Sequence, residues 1–399
     1  MCRRGFALVD WELPRETHGM APSPPPSLAR FAPHFAVLED PRRALTRCRH
    51  SLLDLIVRAV VGVVCGADGW DELADFAALR ADWFATRLGL PGTPPSESTF
   101  RRVLTAVAPA TFSACFASWA RSLATPIPGE GLAIDGKTLR GGANGVHHAL
   151  HVVHAWATER GLLLGQLACA SKGNELEAME TLLGQLELRG VVVTIDAAGT
   201  HKPIAQRVID ATSDYILAVK GNQKTLHEGI ALRFLEISRG HPDPTVTEAA
   251  QFDKGHGRVE DRQLWAAPAA SVAATAAWPG AASVIAVRRR CVEAGESREE
   301  WRYFLGSLPP DDPTRLAHLI RGHWGVENGL HWSLDVGFRE DHSRIHEHRA
   351  QENFSTLRKF GLMMIKKTPR KSGIAASRKK AGWDDRFLFE VLAHGIVGD

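Results

Sequence analysis

The sequence lacks the cysteine pattern of a zinc-binding or disulfide-stabilised module. None of its six cysteines stands at the C-x-x-C spacing that structural zinc sites use. Their wide scatter also gives no disulfide framework, and we therefore expect a reducing compartment. The six are Cys2, Cys48, Cys65, Cys115, Cys169 and Cys291.

The chain also lacks a long, uninterrupted apolar segment. Its longest apolar run, Leu52 to Cys65, contains Asp54 and Arg58, and it is shorter than the ~20 residues that a membrane-spanning helix needs. The first residues contain no extended apolar region of the signal-peptide type. We therefore expect a cytoplasmic protein without a membrane partner.

An excess of one charge is also missing from the chain as a whole. Its 48 Lys and Arg residues nearly balance 45 Asp and Glu residues, which leaves a net charge of +3 over 399 residues. This total does not identify a nucleic-acid partner. Hydrophobic residues make up 44% and charged residues 23% of the chain, which excludes disorder over most of its length. A chain of this length should contain at least two packed units.

The local distribution of charge is uneven. Residues 339–380 contain 12 Lys and Arg residues and four Asp and Glu residues, a charge of +8, which leaves −5 for the rest of the chain. Such a basic segment favours contact with phosphate groups, although it could also act only to increase solubility. The candidate phosphate contacts within it are Lys366, Lys367, Arg370 and Lys371.

Apolar periodicity and Pro- or Gly-rich breaks divide the chain into six segments. They are a flexible leader (1–31), a helical N-terminal accessory domain (32–125), the first part of an α/β core (126–220), a β-rich insertion (221–312), a helix with the end of the core (313–366), and a basic tail with a terminal helix (367–399).

The accessory domain has two alternative interpretations. We predict one amphipathic helix from Trp70 to Leu88, and a further helix whose cap is Ser96 or Ser98. Arg101 and Arg102 lie near the start of that second helix. The domain is therefore either a DNA-binding unit or a helical scaffold with solvated arginines.

The core segment has the pattern of a mixed α/β sheet. The predicted strands are Gly131–Asp135, His148–Thr158, Leu162–Ala170, Val191–Ile195 and Tyr215–Val219, with helices over Asn174–Leu188 and His201–Ala211. Three meandering strands followed by alternating helices and strands have the order of a ribonuclease-H-like core. The predicted fold class is therefore α/β: a ribonuclease-H-like mixed-sheet catalytic core with a β-rich insertion, preceded by a small all-α domain.

Two aspartates stand at the predicted ends of neighbouring core strands. Asp135 ends the first strand and Asp196 the fourth. Two carboxylates side by side repel each other unless a cation lies between them, and oxygen ligands favour Mg²⁺ or Mn²⁺. A third acid would complete a two-metal site of the kind that acts on phosphodiesters. Glu327 is our candidate, because His323, Glu327 and His331 have the spacing of one helix face.

Basic residues close to these acids are candidate phosphate contacts. Each could equally be a solvated lysine or arginine at the rim of the sheet. They are Lys137 and Arg140 after Asp135, Lys202 after Asp196, Lys220 at the end of the fifth strand, and Arg321 before Glu327.

Five stretches of the chain, in this order, resemble a known family. They are LAIDGKTLRG, SKGNELEAMETLLGQLELRGVVVTIDAAGTHKPIAQRVIDATSDYILAVKGNQKTL, HGRVEDR, YFLGSL and RGHWGVENGLHWSLDVGFREDHSR. Together with LEDPR, HSLLDLI and PSESTFRRVL upstream, they resemble the insertion-sequence transposases of the ISAs type, or H-repeat-associated proteins, of the DDE transposase superfamily. The resemblance extends over residues 32 to 367.

This resemblance implies a catalytic, metal-binding triad of Asp135, Asp196 and Glu327 with two Mg²⁺ or Mn²⁺ ions. It implies binding of terminal inverted repeats, metal-dependent strand cleavage and transfer into target DNA, a homodimer in the synaptic complex, and a location at the nucleoid. The chain departs from its relatives at His201, where they usually carry Gln. It also has no lysine within seven residues after Glu327. The first departure leaves the phosphate-contact role of His201 open, and the second leaves that of Arg321 open.

Two alternative functions fit parts of the sequence. One is a catalytically inactive, transposase-derived DNA-binding protein, against which the presence of all three acids argues. The other is a mononuclear metalloenzyme that binds its ion through His323, Glu327 and His331. The second alternative leaves Asp135 and Asp196 without a role.

Overall fold

A computed structural model of the chain describes residues 28–90, 92–123, 127–142, 149–169, 172–255, 258–293 and 295–397. Within these ranges the helices are α1 (Leu52–Val64), α2 (Trp70–Leu79), α3 (Ala81–Leu88), α4 (Glu97–Ala106), α5 (Pro109–Leu123), α6 (Glu175–Gln185), α7 (Lys202–Asp210), α8 (Lys224–Arg233), α9 (Leu235–Ser238), α10 (Pro313–His323), α11 (His348–Lys367), α12 (Ile374–Trp383) and α13 (Asp385–Ala393). The strands are β1 (Gly131–Leu139), β2 (Leu150–Ala157), β3 (Leu162–Cys169), β4 (Val192–Ile195), β5 (Asp214–Val219), β6 (Thr247–Gly255), β7 (Arg258–Pro268), β8 (Ser283–Glu293) and β9 (Glu296–Gly306).

Two of the N-terminal helices, α1 and α4, begin at a serine whose side chain accepts a hydrogen bond from a free backbone N–H group. The side chain of Ser51 accepts a hydrogen bond from the Asp54 N–H at 3.0 Å at the start of α1. Ser96 is the cap of α4, as one of our two alternatives predicts.

The single helix predicted from Trp70 to Leu88 is instead two helices with a break at Arg80. Arg80 bonds to Asp385 at 2.5 Å and thereby contacts the C-terminal helices.

The described part of the chain contains no single helix that is both long and apolar enough to cross a membrane. Helices α4 and α5 reach such a length only as a pair that is bent by 91°.

The described residues form one nine-stranded sheet in the order β3-β2-β1-β4-β5-β9-β8-β7-β6. Strands β1, β2 and β3 pair antiparallel, whereas β1 pairs parallel with β4 and β4 parallel with β5. This confirms the predicted ribonuclease-H-like order. The β-rich insertion forms β6 to β9 after two helices, and its last strand, β9, pairs antiparallel with β5. The insertion therefore extends the core sheet.

Strand β1 is longer than the sequence predicts. Its parallel pairing with β4 ends at Ile134 and Ile195, but its antiparallel pairing with β2 continues to Leu139 opposite Leu150. The prediction that the strand ends at Asp135 is therefore wrong, because the long partner β2 keeps the backbone extended. Asp135 lies inside the strand, at the point where its neighbour on one side ends.

Helix α11 forms the centre of the apolar core between the helical region and the sheet. Fifteen of its 20 residues are buried, and it packs against α1, α4, α5 and β3. Its Phe360 ring contacts an aromatic cluster made by Phe31, Phe35, Phe112, Phe116 and Trp119. The helical region is thus packed around a helix from the far end of the chain.

The packed body begins before the predicted boundary at residue 31. Leu28 and Phe31 are both fully buried, and the Phe31 ring lies 5.6 Å from that of Phe360. Residues 28–31 are therefore not part of a flexible leader, because their apolar side chains complete the aromatic cluster. The rest of the predicted leader, residues 1–27, lies outside the described residues.

Replacing Phe360 by Ala should destabilise the protein by about 3–5 kcal/mol, because it leaves a cavity among five aromatic side chains. The free energy of unfolding, measured by urea denaturation, tests this expectation. Leu79→Ala is a matched control, since Leu79 is 85% exposed and should change the stability little. Equal unfolding midpoints for both variants would contradict the central place of α11.

Candidate functional site

Three acids from separate segments of the chain converge at one edge of the sheet. Asp135 and Asp196 come directly after Ile134 and Ile195, which are paired across the parallel strands β1 and β4. Parallel neighbours lie about 4.8 Å apart, so the two side chains start from adjacent backbone positions. Glu327 follows α10 and is exposed. The first two acids of the predicted triad are thus side by side, and Glu327 is near enough for its charge to act on Asp135.

The electrostatics of Asp135 show that the three carboxylates interact. Burial and then the negative charge of Asp196, with smaller contributions from Glu327 and Glu175, together raise the pKa of Asp135 to about 7, although a backbone hydrogen bond lowers it. The Asp135 carboxyl therefore holds its proton to a higher pH than an ordinary aspartate does. A cation between the carboxylates would remove the repulsion.

Asp196 is fixed by its own backbone. Its Oδ1 accepts hydrogen bonds from the N–H groups of Ala198 at 3.0 Å and Gly199 at 3.3 Å, and it thereby caps a short 3₁₀ turn. A Cβ atom on Gly199 would lie 2.5 Å from the side chain of Ile195 and 2.6 Å from that of Met179. Only glycine fits there, and the tight turn holds the Asp196 carboxylate at the edge of the sheet.

The spacing of His323, Glu327 and His331 assumes a regular α-helix, which the structure does not have there. Helix α10 ends at His323, and Glu327–His331 forms a wider, π-helical turn. Such turns change the direction in which successive side chains point. Glu327 thus opens a local distortion of the helix, a feature that often marks functional sites.

The two histidines on either side of Glu327 contact different strands. His323 Nδ1 lies 2.9 Å from the Thr194 hydroxyl on β4. His331 Nδ1 lies 3.7 Å from Asp135 Oδ2, and its Nε2 lies 3.3 Å from His154 Nδ1 on β2. Burial lowers the pKa of His331 to about 3 and also lowers the pKa of His323. Both imidazoles are therefore neutral at physiological pH.

The donor chemistry of the acids fits a hard divalent cation. Carboxylate oxygens are the ligands that Mg²⁺ and Mn²⁺ prefer. The pKa of Asp135 is raised first by burial and then by repulsion from Asp196, and such an ion would relieve that repulsion. Among the described residues, however, no group of three His, Cys, Asp or Glu side chains could hold an ion as the side chains stand. This also gives no support to a mononuclear site made by His323, Glu327 and His331.

Lys137 was predicted to contact phosphate, but it lies inside the protein and not at its surface. Its side chain is 6% exposed, and its ammonium group pairs with Asp335, with Glu340 at 3.5 Å and with Asp341 at 3.8 Å. The inward-facing side of β1 directs it into the protein, where three acids already neutralise it. Lys137 is therefore a structural cation two residues after Asp135.

A buried network extends from Lys137 to α11. Ser355 donates a hydrogen bond to Glu340 Oε1 at 2.7 Å and accepts one from Lys359 Nζ at 2.9 Å. Burial lowers the pKa of the Lys359 ammonium to about 8. Burial alone would raise the pKa of the Glu340 carboxyl. The positive charges of Lys359 and Lys137 outweigh this effect, so the pKa is lowered overall. We call Lys137, Glu340, Ser355 and Lys359 the buried ion network.

The other predicted basic residues near the acids lie at the surface. Arg140, Lys202 and Lys220 are exposed. Lys220 follows β5, which runs parallel to β4, and it therefore lies at the same edge of the sheet as Asp196. Arg321 is also exposed and pairs with Asp253 on β6 at 2.7 Å.

The C-terminal basic segment is folded into the body. Lys366 lies over the Trp156 ring at 4.9 Å, and burial lowers its pKa to about 8. Lys367 donates to the Leu123 carbonyl at 2.6 Å, and Arg370 donates to the Ser372 carbonyl at 2.7 Å. Lys371 is exposed. The predicted basic tail is therefore a pair of packed helices and the segment before them. The exposed cations Lys367, Arg370 and Lys371 lie at the start of that segment.

A groove of about 470 Å³ beside Glu327 was not predicted from the sequence. It runs along β7, β8 and β9 and the end of α10, and Arg289, Arg302, Arg321, Trp324 and Asn328 line it. The Arg302 guanidinium lies 4.3 Å from the centre of the Trp324 ring. Trp324 stands three residues before Glu327 and could have been noticed there. Arg302 comes from β9, and only the tertiary structure brings it to the groove.

Comparisons with known proteins agree with this arrangement. A family model described as "Transposase DDE domain" matches residues 126–364, and one described as "DDE_Tnp_1-associated" matches residues 32–120. The chain is 32% identical to the "H repeat-associated putative transposase YhhI" of Escherichia coli K12, over 92% of this chain and 98% of that protein. It is also 32% identical to the "Putative transposase YncI" of Escherichia coli O157:H7, over 92% and 95%.

A solved structure is similar at a lower level. The piggyBac transposase synaptic complex with hairpin DNA matches with a TM-score of 0.42 and 11% identity, over 92% of this chain and 76% of that one. The strand order, and not this similarity, identifies the ribonuclease-H-like fold.

Removing the charge of Asp196 should lower the pKa of Asp135 from about 7, since Asp196 is the carboxylate that raises it most. In Asp196→Asn the pKa should nevertheless stay above the ordinary Asp value, because burial remains. The measurement is a pH titration by NMR of protein with ¹³C-labelled aspartate carboxyls in metal-free buffer. Asp210→Asn, an exposed acid on α7, is the control, and an unchanged titration of Asp135 in Asp196→Asn would rule out the interaction.

Lys137→Ala should destabilise the protein by about 3–5 kcal/mol, because it leaves buried acids without their cation. Urea denaturation measures the loss. Arg140→Ala removes an exposed cation three residues further along and should change the stability by less than about 0.5 kcal/mol. If both variants lost equal stability, Lys137 would not be the buried structural cation described above.

Proposed function

Because this chain belongs to the transposase DDE-domain family and carries the N-terminal domain associated with it, we propose that it is the DNA transposase of a bacterial insertion sequence. It would bind the inverted repeats at the ends of the element, cleave DNA there and transfer the cut strand into target DNA. The observation that carries the proposal is the action of the Asp196 and Glu327 charges on Asp135. The pairing of Ile134 with Ile195, which directly precede Asp135 and Asp196, supports the same assignment.

The reaction that suits this site is phosphoryl transfer in two stages. A water molecule would first cleave a phosphodiester at the end of the element and release a 3′-hydroxyl. That hydroxyl would then attack a phosphodiester of the target, forming one bond between the strands as another breaks. Both stages need an activated oxygen nucleophile and a stabilised leaving oxygen at the same place, and neither needs a covalent intermediate on the protein.

Asp135, Asp196 and Glu327 would hold two Mg²⁺ or Mn²⁺ ions. When bound, these ions would supply the positive charge that stabilises the attacking and leaving oxygens of the phosphodiester. The support for this assignment is the oxygen chemistry of the three side chains and their mutual repulsion.

Neighbouring residues of the chain would position the acids. The backbone N–H groups of the Asp196 turn hold one carboxylate in place. Neutral His331 stands 3.7 Å from Asp135 and limits how its carboxylate can rotate. The Thr194 hydroxyl, 2.9 Å from His323, holds the end of α10 against β4. The acids would therefore need little rearrangement when substrate binds.

The groove beside Glu327 would guide the DNA strand to the acids. Arg321 is paired with exposed Asp253, and it could exchange that carboxylate for a phosphate at little cost, because surface ion pairs are weak. The Trp324 ring is 39% exposed and offers a stacking surface for a base. Lys202 and Lys220 would add positive charge at the edge of the sheet.

The joining of two element ends implies two protein chains at work together. We propose a homodimer in the synaptic complex, located with the DNA in the cytoplasm at the nucleoid. Each chain would contribute one set of three acids.

The variants Asp135→Asn, Asp196→Asn and Glu327→Gln should each lose cleavage of a duplex that carries the terminal repeats of the element. We expect a decrease of at least about 100-fold in Mg²⁺, since changes to groups behind metal ligands alone cost about 10–100-fold. DNA binding in EDTA should persist, because these acids hold no DNA without the ions. Gel assays of cleavage and of binding measure the two effects separately.

Asp210→Asn serves as the matched control and should cleave like the wild-type chain, since Asp210 is exposed on α7 and bonds only to Gln206 among the described residues. Full cleavage by any of the three acid variants would disprove the catalytic assignment. A wild-type chain that binds the duplex but never cleaves it with Mg²⁺ or Mn²⁺ would instead identify an inactive, transposase-derived DNA-binding protein.

A further inference from the structure

A second, larger cleft lies between α4 and the segment that leads into α11. Its volume is about 860 Å³, and its lining includes Arg101, Arg102, Thr105, Arg344, His346 and Arg349. We call it the arginine cleft. It is separate from the groove beside Glu327, with which it shares no lining residue.

The cleft carries positive charge that the protein itself does not neutralise. Arg102, Arg344 and Arg349 are exposed, and within the described ranges their guanidinium groups make no ion pair or hydrogen bond. Arg101 pairs with Glu97. The lining thus brings four arginines together against two glutamates, Glu97 and Glu347. Three free cations that face one concave surface attract an anion with repeated charges.

The walls of the cleft are held in fixed positions. Ser96 caps the helix that carries Arg102, and Glu347 caps α11 by accepting the Ala350 N–H at 2.7 Å. His346 Nδ1 donates to the Gly142 carbonyl at 3.1 Å. The side chain of Ile345, between Arg344 and His346, is buried. The arginines therefore extend from a rigid frame.

The cleft is also close to the acids along the chain. Gly142 follows Asp135 by seven residues, so the two backbone positions are at most about 25 Å apart. That distance is about seven base pairs of duplex DNA at 3.4 Å each. A DNA duplex longer than about seven base pairs could therefore contact the cleft and the acids at the same time.

We propose that the arginine cleft binds the sugar–phosphate backbone of duplex DNA, a few base pairs from the point of cleavage. Arginine is well suited to bidentate contact with phosphate oxygens. The two walls come from the two regions that the family models match, 32–120 and 126–364. The duplex would thus join the accessory helices to the catalytic core. This inference rests on the proposed function, because the duplex is the substrate of that reaction.

The test compares duplex binding by the wild-type chain and by Arg102→Ala/Arg344→Ala/Arg349→Ala. The probe is a duplex of arbitrary sequence, in EDTA, because backbone contacts do not read sequence. The triple variant should bind on the order of 100- to 1000-fold more weakly near 0.1 M salt. The slope of log K against log salt should decrease in magnitude by about 3, or about 1 for each lost phosphate contact.

Two further variants separate this role from general charge and from folding. Arg239→Ala/Arg298→Ala/Arg386→Ala removes three exposed arginines outside the cleft, each already paired with a glutamate, and should keep the wild-type slope. Arg102→Lys/Arg344→Lys/Arg349→Lys keeps the charge and should keep most of the slope. An equal loss in the cleft variant and the control variant would overturn the proposal but leave the proposed function intact. No duplex binding by the wild-type chain would overturn both.

Discussion

The buried ion network is the interaction on which the position of the candidate site depends. Lys137 stands two residues after Asp135 on β1, and its ammonium group contacts the Glu340 carboxylate, which Ser355 joins to Lys359 on α11. Buried charges are costly unless each finds its partner. The network is therefore satisfied only when β1 and α11 sit in one register relative to each other, and that register also fixes where Asp135 stands.

The site itself combines rigid support with unfavourable electrostatics. Paired strands, a capped turn and neutral histidines hold carboxylates close together, although burial and mutual repulsion raise the pKa of Asp135 to about 7. The energy that makes this arrangement tolerable comes from the packing of the surrounding core, in which α11 and the sheet bury most of their apolar surface. A site that is strained in this way, on a stable frame, is prepared to accept positive charge.

The sequence predicts the sheet order and the two aspartates because both depend on local patterns. β-Branched runs mark the core strands, and Asp135 and Asp196 follow such runs directly. It does not predict the continuation of β1, since this depends on pairing with β2. Nor does it predict the burial of Lys137, because the acids that pair with it lie about 200 residues later in the chain. The turn at Glu327 was not predicted either, because the spacing of its residues fits an ordinary α-helix, whereas the chain forms a π-helical turn there.

The aromatic cluster around Phe360 has a consequence for the synthesis of the protein. The helices made first, α1 to α5, complete their core only with residues made last: Trp119 donates to the Gly395 carbonyl at 2.7 Å, and Arg378 donates to the Val63 carbonyl at 3.0 Å. During synthesis, the apolar faces of α1 to α5 therefore stay exposed until the C-terminal helices have been made. A gene cut short near its 3′ end would lose more than its terminal helices, because helices α1 to α5 would have no finished core to pack against.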